Sequence, residues 1–187
     1  PPIFGHVPMI NGPDGKKLSK RHGATAVADY QHLGILPAAM RNFLALLGWS
    51  PGGDREIMTL DEMIRLFSLE GIQGKPAVFD STKLEWMNGQ YLSLLPPSEL
   101  VEPVARELER MGVPFRSRAV LVPYLQAVRA RSRTILDVAK QVAVRLDPAR
   151  TELDEKGHNL IGKMGEGYRK SLRIAIETLE TIPEEEW

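Results

Sequence analysis

Apolar residues recur through most of the chain at the i, i+3, i+4 spacing of one helix face, and this spacing leaves little room for a sheet protein. Met40, Phe43, Leu44 and Leu47 follow it, with Pro37 placed for a first turn and Gly48 for a stop. Leu60, Met63, Ile64 and Phe67 repeat it behind Thr59 and Glu62, a capping-box pair. A further helix is expected from Ser81 to about Asn88, burying Leu84 and Met87. Beyond Pro96-Pro97, Ser98 can cap a helix bearing Leu100, Val104, Leu108 and Met111 on one side. Leu121, Tyr124, Leu125 and Val128 mark the next. Ile135, Val138, Ala139, Val142 and Leu146 follow, and Tyr168, Leu172, Ala175, Ile176, Leu179 and Ile182 mark the last. Residues 147–167 read as a polar connector with one short helix around Glu155–Lys163, and Pro103 and Pro123 fall inside helical patterns that each can kink or delay. The expected fold is mainly α, a helical unit followed by an α-helical bundle joined near residue 97. At most a short strand or hairpin is expected near Val7-Pro8-Met9-Ile10.

With 187 residues, 43% of them hydrophobic and 26% charged, the chain has the material for one large or two small cores. No apolar run nears the ~20 residues a membrane helix needs, so no membrane role is expected. The opening Pro1-Pro2-Ile3-Phe4 lacks the basic and apolar regions of a signal peptide. It also lacks an initiator Met, which fits a piece of a longer protein. There is no cysteine, which excludes disulfides and thiolate zinc sites and leans toward the cytosol. The four histidines show no i, i+4 pair, so no metal site is expected.

Net charge is zero but unevenly placed. Between Arg116 and Arg150, eight Lys or Arg stand against Asp137 and Asp147, whereas residues 151–187 hold nine acids against five bases. A polyanion partner would use the basic stretch, and Arg129, Arg131 and Arg133 are its best candidates for RNA backbone contact. Their alternation spreads them over more than one helix face, so some must be plain surface charge. Trp49 and Trp86 follow apolar stripes and are expected to pack rather than stack on bases.

The densest chemistry lies in Asp14-Gly15-Lys16-Lys17-Leu18-Ser19-Lys20-Arg21-His22-Gly23. Four cations in six positions between glycines make a positive loop, and Ser19 adds a hydroxyl donor. Lysine is a compact charge that can follow a moving phosphate. Such donors stabilise the charge that develops on a leaving pyrophosphate. A short basic loop is more often ordinary surface, so charge alone does not assign it.

The segment KLSKR at 17–21 resembles the KMSKS motif of class I aminoacyl-tRNA synthetases, in the form typical of glutamyl-tRNA synthetases. FGHVPMI at 4–10, HGA at 22–24, LPAAMRNFLALLGWS at 36–50 and PAVFDSTKLEWMNGQYL at 76–92 resemble the same family, in order and at plausible spacing. The resemblance implies three regions. Residues 1–23 would end the nucleotide-binding catalytic domain, 24–96 would form the stem-contact domain, and 97–187 would begin the helical anticodon-binding region. It implies an ATP-dependent ligase that makes glutamyl-adenylate and transfers glutamate to tRNA(Glu), a cytoplasmic monomer using ATP with Mg2+ and, in this part, no zinc. Lys20 would contact the ATP phosphates, with Lys17 and Ser19 shaping the loop. The family's HIGH motif is not in this sequence, so the chain alone is expected to be catalytically inactive. Two other readings stay open. One is a glutaminyl-tRNA synthetase or small tRNA-modifying glutamyl transferase, against which the helical patterns after residue 97 argue. The other is a non-enzymatic helical RNA-binding module.

Overall fold

The structure is a computed structural model that describes residues 4, 7–19, 21, 26–151 and 154–183. It is mainly α, with helices α1 (Val27–His32), α2 (Pro37–Leu46), α3 (Leu60–Leu66), α4 (Ser81–Leu94), α5 (Pro97–Arg110), α6 (Leu121–Val128), α7 (Ile135–Leu146), α8 (Glu155–Lys163) and α9 (Glu166–Glu180) among the described residues. Two short strands, β1 (Ile10–Asn11) and β2 (Ala77–Val78), pair in parallel, Ile10 opposite Ala77 and Asn11 opposite Val78.

The chain divides into two compact units, residues 1–148 and 149–187. The first contains two adjoining apolar cores. One gathers Met40 and Phe43 of α2 and its C-cap Leu47 with Phe79, Leu84 and Met87, and Ile10 and Leu18 pack against it. Phe79 meets Phe43 edge-on at 5.0 Å and Tyr30 of α1 at 5.7 Å. The other core joins α5, α6 and α7 through Leu100, Val104, Leu108, Leu121, Leu125, Val138 and Val142, all fully buried. Helix α4 belongs to both. Leu84 and Met87 enter the first core, while Leu92 enters the second. Trp49 packs with Met58 and Met63 in a small satellite, so it is a core residue as expected.

Helix starts follow their local chemistry. Thr59 Oγ1 accepts the Glu62 N–H at 3.2 Å, while the Glu62 carboxylate accepts the Thr59 N–H at 2.8 Å. Thr134 and Asp137 repeat this box at α7, and Pro37 occupies the first turn of α2. Pro123 sits in the first turn of α6, where a missing N–H costs nothing.

Several expectations are corrected. Helix α4 does not stop near Asn88 but continues through Gly89 to Leu94. There glycine serves close packing, because a Cβ at residue 89 would stand 3.1 Å from the Ser132 carbonyl oxygen. The helix after Pro96 begins at Pro97 with Pro96 as its N-cap, so Ser98 lies inside the first turn and caps nothing. Met111 closes that helix in an exposed position instead of joining its buried stripe. The strand forms at Ile10–Asn11, at the end of the expected Val7–Ile10 segment.

In the second unit, α8 occupies Glu155–Lys163 as the connector reading anticipates, with the Asp154 carboxylate accepting the Gly157 N–H at 2.7 Å. Helix α9 carries the Tyr168–Leu179 stripe, but neither α8 nor α9 has a buried residue. Leu160, Ile161, Met164, Tyr168 and Leu172 line a shared apolar cleft within this unit.

Candidate functional site

The basic loop is a tight reversal mounted on β1. Gly12 N–H donates to the Lys16 carbonyl at 2.8 Å, and Gly15 N–H to the Gly12 carbonyl at 3.0 Å. Gly15 has φ +73°, a left-handed conformation that glycine adopts without a Cβ penalty. Lys17 then forms an antiparallel bridge with Asn11, and Leu18 N–H donates to the Ile10 carbonyl at 3.0 Å. Strand alternation does the rest: Leu18 turns into the first core and Lys17 faces solvent. Because β1 also pairs with β2, the loop is fastened to the segment that leads into α4.

Asp14 sits at the centre of the loop. Its Oδ1 accepts the Lys16 N–H at 3.0 Å, and its Oδ2 lies 3.4 Å from Arg21 Nη2. Lys16, Lys17 and Arg21 are exposed and Ser19 is half-buried. The structure therefore brings Lys17 and Ser19 together on one anchored segment, while Lys20, the expected phosphate contact, lies outside the described residues, as does His22. Among the described residues no group of three or more His, Asp or Glu side chains gathers to hold a metal ion. The donors present suit phosphate oxygens rather than a cation.

The second cationic segment, residues 129–134, joins α6 to α7 and is held from several sides. Arg129 Nη1 donates to the carbonyls of Leu92, Ser93 and Leu95, at 3.3 Å for Leu92 and 2.7 Å for Leu95. It thus caps the C-terminus of α4, where a positive charge is favoured. Ser132 is buried, its hydroxyl donating to the Val128 carbonyl and accepting from Gln141 Nε2, both at 3.0 Å. Asp137 Oδ2 accepts the N–H groups of Arg133 and Thr134.

Asn88, fully buried on α4, completes the mount. Its Nδ2 donates to the carbonyls of Arg133 at 2.6 Å and Gly34 at 3.3 Å, and its Oδ1 accepts the Leu36 N–H at 2.8 Å. Gly34, at φ +76°, also offers its carbonyl to the first N–H of α7, Ile135, at 3.0 Å. A Cβ at residue 34 would stand 2.9 Å from the backbone nitrogens of Ile135 and Leu136.

Arg131 and Arg133 are left as exposed side chains over a polar groove shared with Trp86, Gly89, Gln90 and Ser93, and among the described residues no acid lines it. The three arginines proposed from sequence thus separate: one anchors a helix end and two face a groove. Sequence reasoning did not find Asn88, Gln90 or Ser93, whose importance arises from contacts across 45 or more residues for Asn88. Elsewhere the basic stretch is partly neutralised. Arg118 is held by Glu102 at 2.8 Å and Glu109 at 3.1 Å, which raise its pKa, Glu102 first.

Residues 1–86 match the family model for tRNA synthetases class I (E and Q), catalytic domain. By fold and sequence the chain is therefore a relative of the class I tRNA synthetases. More particularly, it is a homologue of the glutamate–tRNA ligases over nearly its whole length. It is 47% identical to glutamate–tRNA ligase 2 of Koribacter versatilis over 97% of this chain and 40% of that one. To glutamate–tRNA ligase 1 of Methylobacterium sp. it is 38% identical over 98% of this chain and 40% of the relative. Among solved structures, the glutamate tRNA ligase of Elizabethkingia meningosepticum in complex with its amino acid superposes with a TM-score of 0.76 at 26% identity, covering 97% of this chain and 39% of that one. The glutamate-tRNA synthetase of Elizabethkingia anophelis gives 0.72 at 26% identity, covering 98% and 39%. The chain thus spans about 40% of the length of the curated relatives it matches.

Proposed function

We propose that this chain is a segment of a glutamate–tRNA ligase, the enzyme that activates glutamate with ATP to glutamyl-adenylate and transfers it to tRNA(Glu). The observation that carries the reading is the KLSKR segment at 17–21, with Lys17 exposed where it bridges to β1 and Arg21 exposed beyond it, in a chain homologous to glutamate–tRNA ligases along its length. In this reading Lys20 contacts the ATP phosphates, and Lys17 and Ser19 shape the loop around them. ATP brings its Mg2+ with it as substrate. Positive donors brought to a leaving pyrophosphate act where charge develops, which is where electrostatic stabilisation lowers a barrier.

The same reading divides the chain at its cores. Residues 1–23 carry the loop, 24–96 the stem-contact domain around α2–α4, and 97–187 the start of the anticodon-binding region. Within the compact unit 1–148, the buried residues of the first core end at Met87 and those of the second, Leu92 apart, begin at Leu100, which supports a division near residue 97. Transfer RNA lies against Arg131 and Arg133, while Arg129 positions the segment from behind. The working protein is a cytoplasmic monomer.

The chain lacks a HIGH motif, so by itself it makes no glutamyl-adenylate. ATP–pyrophosphate exchange by the purified 187-residue chain should stay at background, and exchange above background overturns that part of the reading. In a protein that also carries the HIGH motif, Lys20→Ala should abolish adenylate formation and leave tRNA binding intact. Retained exchange would remove Lys20 from the phosphate site.

A further inference from the structure

The carboxylate of Asp14 is placed inside the cationic loop it precedes. Its two oxygens do different work: Oδ1 takes the Lys16 N–H at 3.0 Å, and Oδ2 faces the Arg21 guanidinium at 3.4 Å, seven residues along the chain. The first contact fixes where the carboxylate stands, because Lys16 belongs to a backbone reversal closed by the Gly12–Lys16 and Gly15–Gly12 hydrogen bonds. The second contact places an anion on one of the loop's cations. Both side chains are open to solvent, at 60% for Arg21 and 43% for Asp14. An exposed ion pair of this kind is weak and easily exchanged.

We propose that Asp14 is a positioning residue that occupies Arg21 while the loop is unliganded, and that a polyphosphate displaces it from the guanidinium on binding. This rests on the phosphate reading of the loop given above. The exchange is favourable in direction. A phosphate group can accept two parallel, short N–H bonds from a guanidinium, whereas Asp14 Oδ2 stands 3.4 Å from Arg21 Nη2, at the long end of a hydrogen bond. The internal anion thus makes the loop more selective. An ordinary monovalent anion gains little by displacing Asp14, and a ligand with several adjacent phosphate charges gains enough to do so.

Asp14→Asn is a clean probe, because an amide oxygen can still accept the Lys16 N–H while the charge facing Arg21 disappears. The purified chain is titrated with inorganic tripolyphosphate at fixed ionic strength by calorimetry, as wild type, D14N, R21A and the double variant. D14N should bind about two- to fivefold tighter, the range an exposed ion pair supplies. That gain should vanish in the R21A background. If D14N binds no tighter, the displacement fails while the phosphate loop stands. If it gains equally with and without Arg21, the effect is one of general charge and the proposed pairing is wrong. If tripolyphosphate binds none of the four proteins, the phosphate reading falls and the role of Asp14 with it.

Discussion

Two segments of this chain carry concentrated positive charge, and they present it in opposite ways. In the 14–21 loop the backbone is fixed at one end by β1, and the described cations Lys16, Lys17 and Arg21 all face solvent. In the 129–134 segment the backbone is gripped by Asn88 and Asp137, Gln141 holds the Ser132 hydroxyl, and one arginine of three is used on the end of α4. The difference suits two kinds of anion. A ligand that changes its charge distribution during a reaction is served by side chains that can follow it. A long, regular polyanion is served by charges on a backbone held at set positions, since less chain freedom is lost on contact.

The strongest way to break this comparison is to remove the grip. Asn88→Ala strands the partly buried Arg133 carbonyl and Leu36 N–H together, and takes one of two donors from the buried Gly34 carbonyl. Each orphaned buried group costs about 1–3 kcal/mol, so a loss near 3 kcal/mol is expected in urea unfolding of the chain. A loss below 1 kcal/mol would mean that the segment is mounted by something other than Asn88.

The next test separates the arginines from one another. Arg129→Ala releases the carbonyls at the end of α4 and should cost about 1.5 kcal/mol, the order of a charge-assisted hydrogen bond. Arg131→Ala touches only the exposed groove and should change stability by less than about 0.5 kcal/mol. It should instead weaken tRNA binding and lower the salt slope by roughly one. Filter binding over a salt series reads both quantities. The assignment fails if Arg131→Ala leaves affinity and slope unchanged, or if Arg129→Ala alters them without affecting stability.

Much of the scaffold was legible because it is written locally. The stripes at 40–47, 121–128 and 135–146 and the Thr59–Glu62 box each lie within one helix, and each forms where its spacing places it. Helix α1 escaped because Val27–His32 buries nothing and so leaves no apolar stripe to read. The pairing of β1 with β2 escaped because two-residue strands show no alternation, and their partners lie 67 residues apart. The candidate site was legible in the same uneven way. The loop was found through matched blocks and not through its charge. The distinct duty of Arg129 depends on carbonyls 34 to 37 residues away, which no local pattern encodes.

The smallest effect sharpens the comparison by using acid as the probe. The mount of residues 129–134 relies partly on neutral groups, Asn88, Ser132 and Gln141, whose hydrogen bonds persist as pH falls. The start of α3 relies on a carboxylate. The Glu62 pKa is lowered below its ordinary value, first by the Thr59 backbone N–H and then by the Thr59 hydroxyl, with smaller help from Arg55 and Arg65. A carboxylate with a lowered folded-state pKa contributes stability that is fully present above its unfolded pKa of about 4.3. That contribution is lost as pH falls through the lower folded value. Amide exchange followed from pH 6 to pH 3 should therefore show the first turn of α3 opening in acid while the Leu36 amide, held by the neutral Asn88 Oδ1, stays protected. Glu62→Gln should keep the capping geometry and remove the pH dependence at α3. Equal loss of protection at both places would show that the neutral contacts of Asn88, Ser132 and Gln141 do not hold the mount.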